Sequence, residues 1–197
     1  MKNKLDIKQL FESNHGVLTI NQLQDRGVTY YALNKLIKAN KVERVKPGLY
    51  RWTDFIGDEL FEALKIVPNG IICMYSAAAF FELTTFIPSQ IHIAIPKKRK
   101  IRLPDYPPIK LYYWSESQLS CGQEQIKNNL GNPITIYNKE KVVCDFIKFR
   151  SKTGQDLSKE VLKNYLNRED RNITKLMAYA RELNINSPLK KYLEVLL

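Results

Sequence analysis

Between positions 29 and 52 the chain sets Tyr30, Tyr31 and Asn34 among six basic residues, Lys35, Lys38, Lys41, Arg44, Lys46 and Arg51. These types suit the reading of a nucleic-acid duplex. Asparagine can pair with an adenine edge through two hydrogen bonds, tyrosine can reach a thymine methyl or a phosphate, and lysine and arginine supply charge to phosphates. At about 100° per residue, Thr29, Leu33, Leu36 and Ile37 share one face of a helix. Tyr31, Lys35 and Lys38 fall on the opposite face, with Asn34 on the flank. A second cationic run, Lys97-Lys98-Arg99-Lys100-Ile101-Arg102, offers secondary phosphate contacts, from Lys97, Lys98, Arg99 and Lys100, or contacts to an RNA partner, and reads equally well as a solvated loop.

Other chemistries are thinly supplied. His15 and His92 are isolated and read as structural. Cys73, Cys121 and Cys144 are odd in number and lack CxxC spacing, which argues against a disulfide framework and a zinc site. The nearest approach to the carboxylate and lysine set of a metal-dependent nuclease is Asp145 with Lys148, or Glu140 with Lys141. Asp145 reads better as the polar side of an amphipathic helix, and Glu82 stands without a visible partner in an apolar one. Ser76 lacks the glycine elbow of a nucleophile and reads as a helix N-cap. No Gly-rich phosphate loop is present. The expectation is no metal, no cofactor and no enzymatic activity. The alternative is a nucleic-acid-acting enzyme that uses Glu82 or Asp145 behind a basic delivery domain.

The elements that must hold the reading face follow from the local pattern. A first helix carries Leu5, Ile7, Leu10 and Phe11 and stops at Gly16. Thr19 caps a second helix that stops at Gly27, and Thr29 caps a third that runs to about Asn40. Two short helices around a glycine turn make a helix-turn-helix. The runs Val42 to Lys46 and Leu49 to Trp52 flank Pro47-Gly48, a type II turn pair, and predict a β-hairpin wing. Residues 1–53 are thus expected to be a winged helix-turn-helix DNA-binding domain.

A linking helix is expected within residues 54–69, and an α+β domain over residues 70–197. Short β-prone runs there are Ile71 to Tyr75, Ile91 to Ile95, Lys110 to Trp114 and Ile134 to Tyr137, with a helix from Ser76 to Leu83. From Lys139 onward the apolar spacing turns helical, so the whole is α+β, with a small mixed sheet and C-terminal helices. The apolar stretch Leu189 to Leu197 reads as core packing in preference to an interface between copies.

The net charge of +11 lies at the two ends: an excess of six over residues 1–52, none over 53–138, and five over 139–197. A basic N-terminal segment fits a polyanionic partner. No apolar run approaches the roughly 18 residues of a membrane span, and Met1 to Asp6 lacks the apolar core of a signal peptide. A cytoplasmic protein without a membrane partner is expected.

Four segments in order carry a resemblance to a known family. They are Gly16-Val17-Leu18-Thr19 through Gly48-Leu49-Tyr50, Tyr75-Ser76-Ala77-Ala78-Ala79-Phe80-Phe81-Glu82-Leu83-Thr84, Ile91 to Pro96, and Val142-Val143-Cys144-Asp145-Phe146-Ile147. Over nearly its whole length the chain resembles the AbiEi antitoxins of bacterial abortive-infection, type IV toxin–antitoxin systems, which act in phage resistance. The resemblance implies a transcriptional autorepressor that binds inverted repeats in its own promoter. It also implies a C-terminal domain that counteracts a nucleotidyltransferase-like toxin without a stable complex. Inverted repeats in double-stranded operator DNA favour two or more copies on the site.

Overall fold

The computed structural model describes residues 6–55 and 57–196, with side chains through Glu194. Leu5 of the first expected helix and Leu197 of the last lie outside these residues, as does the side chain of Leu196. The architecture is mixed α+β, with N-terminal helices and a small antiparallel sheet, a larger mixed sheet, and C-terminal helices.

Helix α1 (Ile7–Glu12) starts where the Asp6 carboxylate accepts the Lys8 amide at 3.0 Å. The chain then turns through His15 and Gly16, both with positive φ, and the Phe55 ring fills the space that a Cβ at position 16 would need. Only glycine fits there. Strand β1 (Val17–Thr19) leads into α2 (Ile20–Asp25), which opens with a reciprocal capping box between Thr19 and Gln22. The Thr29 hydroxyl caps α3 (Tyr30–Lys38) by accepting the Ala32 amide at 3.2 Å. Strands β2 (Val42–Lys46) and β3 (Leu49–Trp52) are joined through Pro47-Gly48, with Gly48 at φ +79°, as a type II turn requires. β1 pairs with the free side of β3 and makes a three-stranded sheet. That strand was not foreseen, because three residues are too few for alternation to register. Phe11, Leu18, Leu23, Leu33, Val42 and Trp52 meet as the core of this region.

Helix α4 (Glu59–Ile66), capped by the Asp58 carboxylate, occupies the middle of the stretch 54–69 where a linking helix is expected. The larger sheet is built from β4 (Ile71–Ile72), β5 (Ile91–Pro96), β6 (Ile109–Trp114), β7 (Gln123–Lys127) and β8 (Pro133–Tyr137), in the order β6-β5-β4-β8-β7. β5 with β6 and β4 with β8 run parallel; the other pairs are antiparallel. Helix α5 (Met74–Phe80) already includes Tyr75, which the sequence placed in a strand, and Ser76 lies inside that helix, not at its cap. The Ser76 hydroxyl instead accepts the His92 amide at 2.9 Å and ties α5 to β5. β7 was missed because its Gln and Lys residues face solvent on a sheet edge, where no hydrophobic pattern marks a strand.

Short α6 (Glu116–Ser120) follows β6, and α7 (Lys139–Lys148), α8 (Arg150–Thr153), α9 (Gln155–Leu166), α10 (Ile173–Glu182) and α11 (Asn186–Leu196) close the fold. Leu189 of α11 is fully buried in the main core, in line with the packing expected for that stretch.

The segment read as a linker is a structural seam. Val17 and Leu49 of the small sheet share one apolar cluster with Ala63 and Ile66 of α4 and with Ile91, Ile93 and Ile95 of β5. Polar contacts reinforce it: the Asp58 carboxylate, while capping α4, also accepts the side-chain amides of Asn128 and Asn132 from the β7–β8 turn. The small sheet is therefore buried in part by residues that follow it in the chain.

Candidate nucleic-acid interface

Helix α3 presents the two faces that its spacing predicts. Leu33 is buried and Leu36 and Ile37 are half-buried against the core, while Tyr31, Asn34, Lys35 and Lys38 are exposed. Tyr30 is 57% and Tyr31 82% exposed, high values for aromatic rings on a small helix. Burial of a ring normally stabilises a fold, so two rings left in water mark a surface available to a partner. Lys35 and Lys38 lie in the last turn, where they also oppose the partial negative charge of the helix end. Among the described residues, neither they nor Lys41 and Arg44 enter an ion pair.

Two of the expected phosphate ligands are engaged inside the protein. Arg51 forks onto Glu62 of α4, with Nη1 at 3.0 and 2.9 Å from the two carboxylate oxygens, and also pairs with Glu43 of β2. Two carboxylates around one guanidinium leave a net negative group, which removes Arg51 from the free cations of the wing. Burial raises the Glu62 carboxyl above its ordinary range in spite of Arg51. Lys46 donates from Nζ to the Ile66 carbonyl at 2.7 Å, at the C-terminal end of α4. Burial and the nearby Arg99 guanidinium hold its pKa below the ordinary value. Arg99 itself donates to the Pro68 carbonyl just beyond the same helix. Periodicity alone could not reveal these pairings, since both partners of Lys46 and Arg99 are backbone carbonyls of a distant element.

The second cationic run divides accordingly: Arg99 is half-buried and committed, whereas Lys97, Lys98 and Lys100 are exposed. Arg102 continues that exposed set.

The candidate catalytic carboxylates are not brought together. Glu82 is exposed at positive φ just past α5. Asp145, expected on a polar helix face, is fully buried, and every residue of α7 from Glu140 to Ile147 is buried. Its partner is Lys141, not Lys148: Lys141 Nζ lies 2.7 Å from both Asp145 oxygens. The same ammonium stands 4.1 Å from the Trp114 ring centroid and 4.4 Å from that of Tyr137. Burial pushes the Asp145 carboxyl up, against the pull of Lys141. Glu140 accepts the Tyr165 hydroxyl at 2.9 Å and meets Lys175 at 3.5 Å. The i,i+4 spacing of Lys141 and Asp145 was legible, but surface pairs share it, so the signal could not show burial.

His92 is buried, with Nδ1 2.9 Å from the Tyr112 hydroxyl, and burial with Lys110 nearby pulls its pKa down to about 4. His15 packs edge-on against Phe61 of α4. The three cysteines are free and buried, and burial pushes each thiol upward, Cys121 to about 12. Among the described residues no three His, Cys, Asp or Glu side chains are grouped to hold a metal ion, and no helix is long and apolar enough to cross a membrane.

Comparison with known proteins bears on the N-terminal part. Residues 6–53 match the family model described as "Transcriptional regulator, AbiEi antitoxin", which is the resemblance that the sequence carries over those residues. No curated protein matches the chain. Among solved structures, the RV2827C protein from Mycobacterium tuberculosis is similar at a TM-score of 0.47 and 15% identity, over 92% of this chain and 75% of that one.

Proposed function

We propose that the chain is an antitoxin and transcriptional autorepressor, with no catalytic activity of its own, whose residues 1–53 bind double-stranded operator DNA. The observation that carries this reading is the outward face of α3, where Tyr31, Asn34, Lys35 and Lys38 project from a helix anchored by Leu33. The helix would enter the major groove, with Asn34 and Tyr31 at base edges and Lys35, Lys38 and Lys41 at phosphates. Among the described residues, Arg44 is a wing cation that enters no ion pair and is exposed. Lys46 is held by the Ile66 carbonyl, and Arg51 serves as a brace. The match of residues 6–53 to an antitoxin regulator family supports the same assignment.

Finer parts of the proposal follow from the resemblance. The operator holds inverted repeats in the chain's own promoter and takes two or more copies. Residues 70–197 counteract a nucleotidyltransferase-like toxin in the cytoplasm, without a stable complex, metal or cofactor. The cleavage alternative lacks support: one carboxylate it needs is exposed with no ion pair among the described residues, and the other is sealed beneath Trp114 and Tyr137 with Lys141.

A gel shift on the DNA upstream of the chain's own gene, against scrambled DNA, tests the reading. Lys35→Glu and Lys38→Glu are each expected to abolish the specific shift while leaving the melting temperature nearly unchanged. Normal retention by both variants would remove α3 as the reading helix.

A further inference from the structure

The fold spends two wing cations internally, and it places other cations beside the wing. Residues 97–102 contain Lys97, Lys98, Arg99, Lys100 and Arg102 and no acidic residue. Their backbone runs past the hairpin turn: Val45, Lys46 and Pro47 form one wall of an open groove of about 630 Å³, and Lys100, Ile101, Arg102, Leu103 and Pro104 form the other, with Asp105 at its end. The segment alternates. Ile101 and Leu103 are half-buried against the cluster that joins Val17 and Leu49 to α4 and β5, while Lys100 and Arg102 between and beside them are exposed.

Both walls are anchored to the same helix end. Lys46 from the wing and Arg99 from the loop donate to the Ile66 and Pro68 carbonyls, so the end of α4 holds the two basic segments side by side. Among the described residues none of Lys97, Lys98, Lys100 and Arg102 forms a salt bridge with a carboxylate. Cations packed side by side without acidic partners repel one another in the free protein, and a polyanion relieves that repulsion.

A DNA backbone offers a phosphate charge every 1.7 Å or so along its axis, a ligand that suits a line of fixed cations better than a pocket does. From these positions we infer that the 97–102 loop is a second DNA-contacting element, which grips phosphates flanking those held by the wing, so that the footprint extends beyond residues 1–53. This rests on the reading of α3 as the groove-entering helix. Lys98, Lys100 and Arg102 carry the contact, and Arg99 positions the loop without touching DNA.

The test uses the full chain and three forms: wild type, Lys35→Glu, and the triple variant Lys98→Gln/Lys100→Gln/Arg102→Gln. Operator affinity is measured by fluorescence anisotropy across a salt series, with thermal melting as the folding control. Each lost phosphate contact should make the slope of log affinity against log salt shallower by about 0.9. The triple variant is expected to lose about tenfold or more in affinity at low salt, with a slope shallower by two to three units, while it still prefers operator over scrambled DNA. Wild-type affinity and slope in the triple variant, with binding lost in Lys35→Glu, would overturn the inference and leave α3 in place. A weakened triple variant beside a fully active Lys35→Glu would keep the loop contact and remove α3. Should the triple variant bind operator like wild type but fail to bind a single-stranded uridine oligonucleotide that the wild type holds, the loop serves RNA and the inference falls.

Discussion

Two buried residues show how far a side chain's role departs from its type. Lys141 and Asp145 are both fully buried, and each satisfies the other at 2.7 Å. Removing one charge leaves the other stranded under Trp114 and Tyr137, which typically costs roughly 3–5 kcal/mol. Asp145→Leu should therefore lower the urea midpoint sharply, whereas Lys141→Met/Asp145→Leu together should recover much of the loss. If the double variant is as unstable as the single one, the pair is not the reason. His92 gives a pH signature. Its folded pKa of about 4 lies below the ordinary 6.5, so between those values the unfolded chain binds the proton and the folded chain does not. Its contribution is complete above pH 6.5 and is lost as pH falls toward 4. From pH 7 to pH 5 the wild type should lose roughly 1–2 kcal/mol more than His92→Gln, measured by urea unfolding at each pH. Equal losses would mean that the imidazole is protonated in the fold.

At the scale of elements, the wing sheet depends on α4. Val17 and Leu49 pack in one cluster with Ala63, Ile66 and the isoleucines of β5, so a fragment of residues 1–53 loses that cover from both side chains. At roughly 1.5–3 kcal/mol for each apolar side chain uncovered, the fragment should be markedly weaker than the same region in the full chain. Amide exchange at Leu33 and Leu49 would show it as a loss of protection in the fragment. Unchanged protection would make α4 a tether and not a support. The caps and turns of this region were legible because they act locally: Thr19 and Thr29 need only the next three residues, and Gly48 only its own φ. The cap of α4 at Asp58 was not, since the asparagines that share its carboxylate lie seventy or more residues away.

For the whole molecule, the succession of helix, turn, helix and hairpin, the outward face of α3 and the mixed α+β class could all be derived from the sequence. Each rests on spacing within a few residues, and a 3.6-residue or two-residue period survives in the linear text. The fate of individual charges could not. Arg44 and Arg51 are both wing arginines in the sequence, yet one is exposed and the other is held between Glu43 and Glu62. Lys100 and Arg99 are neighbours with opposite fates, because the loop's alternation is set by Ile101 and Leu103 finding the shared core. The α7 charges Lys141 and Asp145, spaced as surface pairs are, close on each other inside the protein. Local pattern fixes the helices, caps and hairpin of the N-terminal region, since these depend on neighbours in sequence, whereas the short strand β1 and the edge strand β7 left no period to read. Which cations remain free for a partner depends on carboxylates and carbonyls that only tertiary packing brings near, and burial decides it.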